Sequence, residues 1–147
     1  MISILPMTRQ EEWEWIKERA QVTWTEGTKG MVCYKDGEIV GMVIMDGWTH
    51  NSCRTHIAVD DMLIFKHGWF EEVANYIFNE CDKGLIIGVT PANMENVLRF
   101  NRHIGFVETY RIKDGQEVGI DLVIQEKRKE NCKYLRKSNG QISARTA

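Results

Sequence analysis

Apolar residues recur along this chain with two alternating periods, and the switches between them mark out ten elements. Ile2, Ile4 and Leu5, ahead of Pro6, read as a short first strand. Thr8-Arg9-Gln10-Glu11 has the spacing of a capping box, in which Thr8 satisfies early helical N–H groups and Glu11 reaches back. The helix it opens carries Trp13, Ile16, Ala20 and Trp24 on one face and turns Trp15 to another. Runs from Met31 to Lys35 and from Glu38 to Asp46 flank Asp36-Gly37, a pair suited to the positive φ angles of a type I′ hairpin turn. Ser52 to Val59 follows as a strand. Phe70, Val73, Ala74, Ile77, Phe78 and Cys81 predict a helix from Gly68 to Cys81, with Gly84 as its stop. Leu85 to Val89 is apolar without alternation, the pattern of a strand covered on both faces. The next helix, Asn93 to His103, is expected to be capped by Asn93, to bury Val97, Leu98 and Phe100, and to close on Ile104-Gly105-Phe106. Phe106 to Ile112 and Gln116 to Gln125 then pair around Lys113-Asp114-Gly115. Val118, Ile120, Leu122 and Ile124 share one face of the last strand.

The order is β-α-β-β-β-α-β-α-β-β, with no internal repeat. Hairpins make antiparallel pairs, whereas the helix between Ser52–Val59 and Leu85–Val89 implies a right-handed parallel crossover. The fold class is therefore α/β: a mixed, mostly antiparallel twisted sheet with helices on both faces and a parallel pair near its centre. The apolar pattern ends after Gln125, so one domain is expected over residues 1–125, followed by a tail over 126–147.

Composition narrows the class. Hydrophobic content of 43% and charged content of 27% are ordinary for a soluble domain. The longest apolar runs are too short to cross a bilayer, and no secretory leader is visible, so a cytoplasmic location without a membrane partner is expected. Four cysteines lie far apart with no C-x-x-C pair and read as reduced core thiols. Four histidines are scattered without metal-ligand spacing, and no metal site is expected. Charge is uneven. Seven Lys/Arg against two Glu put +5 on residues 126–147, so the net charge of −2 leaves −7 on the body. A basic tail of this kind either stays solvated or meets a polyanion or an acidic partner surface.

The strand order, together with the run GLIIGVTPANMENVLRFNRHIGF from Gly84 to Phe106, resembles the GNAT (Gcn5-related N-acetyltransferase) superfamily over residues 1–125. Asn93 supplies the lead of the family's helix, Arg99-Phe100 its body and Gly105-Phe106 its end. The resemblance implies that acetyl-CoA lies where the fourth and fifth strands splay apart. Backbone N–H groups on the fourth strand, here at Ile57 and Val59, would hold the thioester carbonyl. A primary amine, of a small molecule or a protein, would be the acceptor. The pyrophosphate would sit on the loop opening the following helix, here Lys66, His67, Gly68 and Trp69. Asn93 and Asn101 would face the cofactor, and an exposed last strand would pair across a homodimer, as in many relatives.

Two departures accompany the resemblance. The phosphate loop matches the family's glycine-rich pattern only at Gly68, with Trp69-Phe70 where small residues are usual. The helical tyrosine that protonates the departing thiolate is replaced by Asn101 or Phe100. Candidate bases are His56, whose imidazole suits proton transfer near neutrality, and Asp60 and Asp61, which also suit a turn cap. Trp48, Phe65, Trp69 and Phe70 fit either an acceptor groove or core. Lys127-Arg128-Lys129 is a candidate polyanion contact. The stretch VLRFNRHIGFVETYRIKDGQ is also similar to the GNAT-like internal virion proteins of short-tailed phages. That likeness implies a catalytically degenerate phage protein with a structural or interaction role, in host cytoplasm or virion.

Overall fold

The strands β1 (Ile2–Pro6), β2 (Lys29–Lys35), β3 (Glu38–Asp46), β4 (Ser52–Val59), β5 (Leu85–Pro91), β6 (Val107–Glu117) and β7 (Ile120–Arg128) form one sheet in the order β1-β2-β3-β4-β5-β7-β6. The structure is a computed structural model, and it describes residues 1–135. Only β4 and β5 run parallel; every other neighbouring pair is antiparallel. The helices are α1 (Gln10–Lys17), α2 (Trp69–Asn75) and α3 (Glu95–His103). The α/β class and the parallel seam expected from the sequence are both present.

Alternation along the sheet separates two cores. Val32, Met42 and Ile44 face Ile16 of α1 on one side. Cys33, Val43, Met45, Cys53 and Ile86 face the other, where Phe70, Val73, Ala74, Ile77 and Phe78 cover them, joined by Ile104 and Phe106 from the end of α3. Trp48, Phe65, Trp69 and Phe70 therefore belong to core packing rather than to an acceptor groove. All four cysteines are free thiols, and burial pushes that of Cys53 up to about 12.

Several boundaries differ from the sequence reading, each for a local reason. The capping box is shifted by one residue: Arg9 is the N-cap, and Glu12 Oε1 accepts from the N–H groups of Thr8 (2.8 Å) and Arg9 (2.9 Å). Helix α1 stops at Lys17, so Trp24 lies outside it and meets Trp13 edge-on at 5.3 Å. The helix expected over 68–81 is present, as α2 running straight into a π turn (Tyr76–Glu80), and an unexpected 3-10 turn (Met62–His67) precedes it. Its stop is Asp82, at φ 55°, and not Gly84. Gly84 instead donates its N–H to the Asn51 carbonyl, and a Cβ there would come within 2.9 Å of the Asn51 side chain. Strand β5 is fully covered on one face only, through Ile86, Gly88 and Thr90, while Val89 is exposed. The cap of α3 is Met94, not Asn93, and only Leu98 of the three expected apolar residues is fully buried.

The last hairpin departs most. Its turn is Val118-Gly119, and Asp114 (φ 54°) is instead a bulge, where the Asp121 carboxylate accepts its N–H and its own carboxylate accepts from Gly119. The buried face of β7 is Val123, Gln125 and Lys127, opposite in phase to the apolar residues. Asn101 Nδ2 donates to Gln125 Oε1 at 3.0 Å, and Lys127 Nζ donates to the Ile104 carbonyl at 2.8 Å. Asn101, Gln125 and Lys127 thereby each keep a partner. Burial pushes the Lys127 ammonium below the usual lysine range, with the Cys132 thiol opposing. A Cβ at Gly105 (φ 106°) would lie 2.5 Å from Lys127 Nζ, which explains glycine at this helix end. The fold also passes the expected boundary at Gln125, because β7 continues to Arg128 and Cys132 and Leu135 are buried in the main core. Lys127 is 2% exposed and does not form a surface contact with Arg128 and Lys129. The remainder of the expected tail, 136–147, lies outside the described residues.

Candidate active site

Strands β4 and β5 pair at three positions only: Ser52 with Leu85, Cys53 with Ile86 and Arg54 with Ile87. Beyond them β5 pairs with β7 alone, from Gly88 opposite Gln125 to Pro91 opposite Leu122, and β4 with β3 alone. The seam opens into a V. Asn51 turns its carbonyl toward Gly84 and Leu85 on the β5 side, and Asp60 donates to Val40 on the β3 side. Backbone alternation between those points turns the N–H groups of Ile57 and Val59 toward the gap, where no strand receives them.

Two adjoining clefts fill the V. One, about 320 Å³, is bordered by Arg54, Thr55 and His56 from β4, Gly88 and Thr90 from β5 and Asn101 from α3. The other, about 300 Å³, is bordered by Ile57, Val59 and Asp60 with Met62, Val97 and Phe100. Arg19, Ile57 and Val97 border both. Neither Trp69 nor Phe70 plugs the opening; both are buried beneath α2.

His56 is the titratable base of the first cleft. It is 22% exposed, and its Nε2 lies 3.1 and 3.2 Å from the Asp46 carboxylate oxygens. Asp46, 5% exposed, also holds Arg54 Nε at 3.4 Å. The carboxylate favours the tautomer with its proton on Nε2, which leaves Nδ1 as the accepting nitrogen. Asp46 escaped the sequence reading. The register gives the signal that could have found it: Asp46 stands opposite Arg54 and Ile44 opposite His56, so Asp46 and His56 are diagonal neighbours across the hairpin.

The other expected residues divide between the gap and its surroundings. Asp60 borders the second cleft, where Arg19 Nη2 (3.0 Å) and Nε (3.1 Å) grip its carboxylate. Asp61 faces away. It accepts from Leu63 N–H at 2.9 Å and pairs with Lys35 at 3.0 Å, and these two contacts in that order hold its carboxyl below the usual range. Lys66 is exposed. His67 borders a separate hollow with Ile2, Lys35 and Leu63 beside β1, away from the V. Gly68 (φ 80°) is the left-handed joint between the 3-10 turn and α2, and Trp69 after it is fully buried. Asn93 is exposed ahead of α3 and caps nothing, whereas Asn101 lies under the first cleft, held by Gln125. Among the described residues no group of three His, Cys, Asp or Glu side chains could hold a metal ion.

No family model matches this chain, and no curated protein matches it. Solved structures do. The spermidine/spermine N-acetyltransferase SpeG of Vibrio cholerae, crystallised with manganese ions, superposes with a TM-score of 0.72 at 13% identity, covering 93% of this chain and 96% of that one. A dodecameric SpeG in an intermediate state gives 0.72 at 13% identity, covering 93% and 98%. A Desulfovibrio desulfuricans protein assigned to the GNAT acetyltransferases gives 0.69 at 12%, covering 87% and 99%. At such identities the likeness is one of fold. The fold is that of the GNAT superfamily, with its parallel seam between β4 and β5. No helix among the described residues is long and apolar enough to cross a membrane.

Proposed function

We propose that this protein is an N-acetyltransferase that moves the acetyl group of acetyl-CoA to a primary amine. The observation that carries the reading is the V between β4 and β5, open for its outer half and bordered by His56, whose Nε2 pairs with the buried Asp46 carboxylate behind it. Bound acetyl-CoA supplies the acyl group as a thioester, whose carbon–sulfur bond breaks as the carbon–nitrogen bond to the amine forms. The N–H groups of Ile57 and Val59 face the place where its carbonyl oxygen gains charge, and hydrogen bonds already aimed there favour the transition state. His56 Nδ1 takes the proton that the amine nitrogen must shed, and Asp46 steadies the imidazole as it becomes positive. No phenol lies on α3, where Asn101 and Phe100 stand. The leaving sulfur therefore draws its proton from water or from His56 as it discharges.

The residues present fit the two parts of the co-substrate unequally. The gap suits a thin pantetheine arm that meets strand N–H groups. The phosphate end offers the exposed Lys66 and the Gly68 joint, without a glycine-rich loop. That end favours a second reading, a GNAT-shaped structural or interaction protein of the internal virion type. Titration calorimetry with acetyl-CoA separates the two. Saturable one-to-one binding, competed by CoA, supports the transferase; no heat at millimolar concentration supports the second reading.

Assembly follows the same logic. Strand β6 is the sheet's edge and is exposed along its length, including Val107, Tyr110 and Ile112. A second copy pairing along this edge would cover those side chains, and a dimeric mass in sedimentation would support it. For the basic segment after β7, an acidic partner surface is the proposed contact, tested by the salt dependence of binding to polyanion resin.

A further inference from the structure

Two arginines border the first cleft, and they are in different states. Arg19 is fully employed: Nε and Nη2 grip Asp60, Nη1 donates to the Trp15 carbonyl at 2.9 Å, and its guanidinium lies 3.8 Å above the Trp15 ring. Arg54 is not. Its Nε forms an ion pair with Asp46 at 3.4 Å, and its stem lies over Gly47, where a Cβ would meet Nε at 2.8 Å. Among the described residues its two terminal nitrogens have no partner, and the side chain is 48% exposed. A guanidinium held by its base with its fork free is preset for a carboxylate, which it can grip with two parallel hydrogen bonds.

Its position says which ligand that carboxylate belongs to. Arg54 and His56 project from the same face of β4, two residues and roughly 7 Å apart along the strand. Arg54 also marks the closed end of the V, the last residue paired with β5. The phosphates of a bound co-substrate belong at the opposite end, toward Val59 and Lys66. No Asp or Glu side chain borders the first cleft, and of its two arginines only Arg54 keeps free donors, so the cleft matches a carboxylate better than a polyamine.

We propose that the acceptor is a small amine bearing a carboxylate within a few bonds of its nitrogen, an amino-acid-type acceptor, with the Arg54 fork receiving the carboxylate and His56 facing the amine. The inference rests on the acetyltransferase reading for placing the amine. The test is made on the transfer product, so that it does not depend on turnover. The affinity of the full chain for N-acetylalanine and for N-ethylacetamide, its counterpart lacking the carboxylate, is measured by NMR titration, and R54Q is titrated in parallel. N-acetylalanine is expected to bind at least tenfold more tightly, with shifts at His56, and R54Q is expected to bring the ratio to about one. Equal affinities in the parent chain, or a preference unchanged in R54Q, would overturn the proposal. So would R54Q weakening CoA binding while leaving the N-acetylalanine preference intact, because the fork would then serve phosphate. A misfolded R54Q is recognised by its amide spectrum, and R54K, which keeps the charge without the fork, then takes its place: its preference falls if the proposal holds and stays if it does not. Acetyl-CoA titration of the parent chain judges the transferase reading separately.

Discussion

The two ends of the V are built from different materials. At the closed end, beside Arg54 and Ile87, charged side chains hold one another in fixed geometry: Asp46 binds both His56 and Arg54, and Asn101 is anchored by Gln125. At the open end, where a phosphate loop would lie in the GNAT fold, the packing is mainly aromatic and aliphatic, with Lys66 exposed beside it. Phe65 packs edge-on against Trp69 (5.6 Å) and Phe100 (5.6 Å), and Ile64 is buried over Gly41. The contrast teaches that, on the proposed reading, the end that would react is preorganised by side-chain contacts, while the end that would meet phosphate is devoted to holding the fold together. Affinity for the nucleotide half of a co-substrate should then be modest, and chemistry should depend on few side chains.

The difference can be broken from either end. The largest effect is expected from W69A. Removing a fully buried indole from the aromatic cluster should cost about 3–5 kcal/mol, read as a lower midpoint in urea unfolding. At the other end, H56A removes the proposed proton acceptor and should lower kcat/KM by roughly 10²–10³-fold with little change in unfolding midpoint. A turnover assay with the preferred acceptor checks it. D46N keeps the shape but no longer selects the tautomer or balances the imidazolium, and a loss of about 10–100-fold in kcat is expected. At the phosphate end K66Q should weaken acetyl-CoA binding only about two- to threefold, because an exposed single charge contributes little. An effect of tenfold or more would mean that this end binds phosphate after all.

A smaller, pH-dependent effect lies far from the V. Burial opposes the charge of Glu12, but hydrogen bonds from Tyr34, Thr8 and Arg9 outweigh it and hold the carboxyl below its usual range. The unfolded chain then binds the proton more readily, so this group's contribution is complete above about pH 4 and is lost as pH falls further. E12Q should be less stable than the parent near neutrality and should converge on it in acid, as followed by circular dichroism.

Much of the fold could be read from local chemistry. Asp36-Gly37 announces its hairpin, with both residues at positive φ, and β4 spans Ser52–Val59 as expected. Reading failed where polar residues are buried in pairs. The phase of β7 was inverted because Gln125 and Lys127 look like surface residues, and only contacts from Asn101 and the end of α3 make their burial tolerable. Asp114-Gly115 looked like a turn because the chemistry of a bulge uses the same residues. Of the residues proposed for the site, His56, Asp60, Asn101 and the strand positions Ile57 and Val59 border the V. Asp46 was not legible, because its role depends on the register between two strands. Asp61 and His67 differ from the reading for a related reason: tight caps and helical joints send neighbouring side chains in opposite directions, which linear spacing does not show.

The central claim is that the outer half of the seam receives an acyl thioester on strand N–H groups. Amide NMR spectra recorded during an acetyl-CoA titration test it most directly. Saturable shifts concentrated at Ile57 and Val59, with His56 responding and His67 silent, are the predicted result. Saturation with those two amides unmoved, or no shifts at millimolar co-substrate, would contradict it.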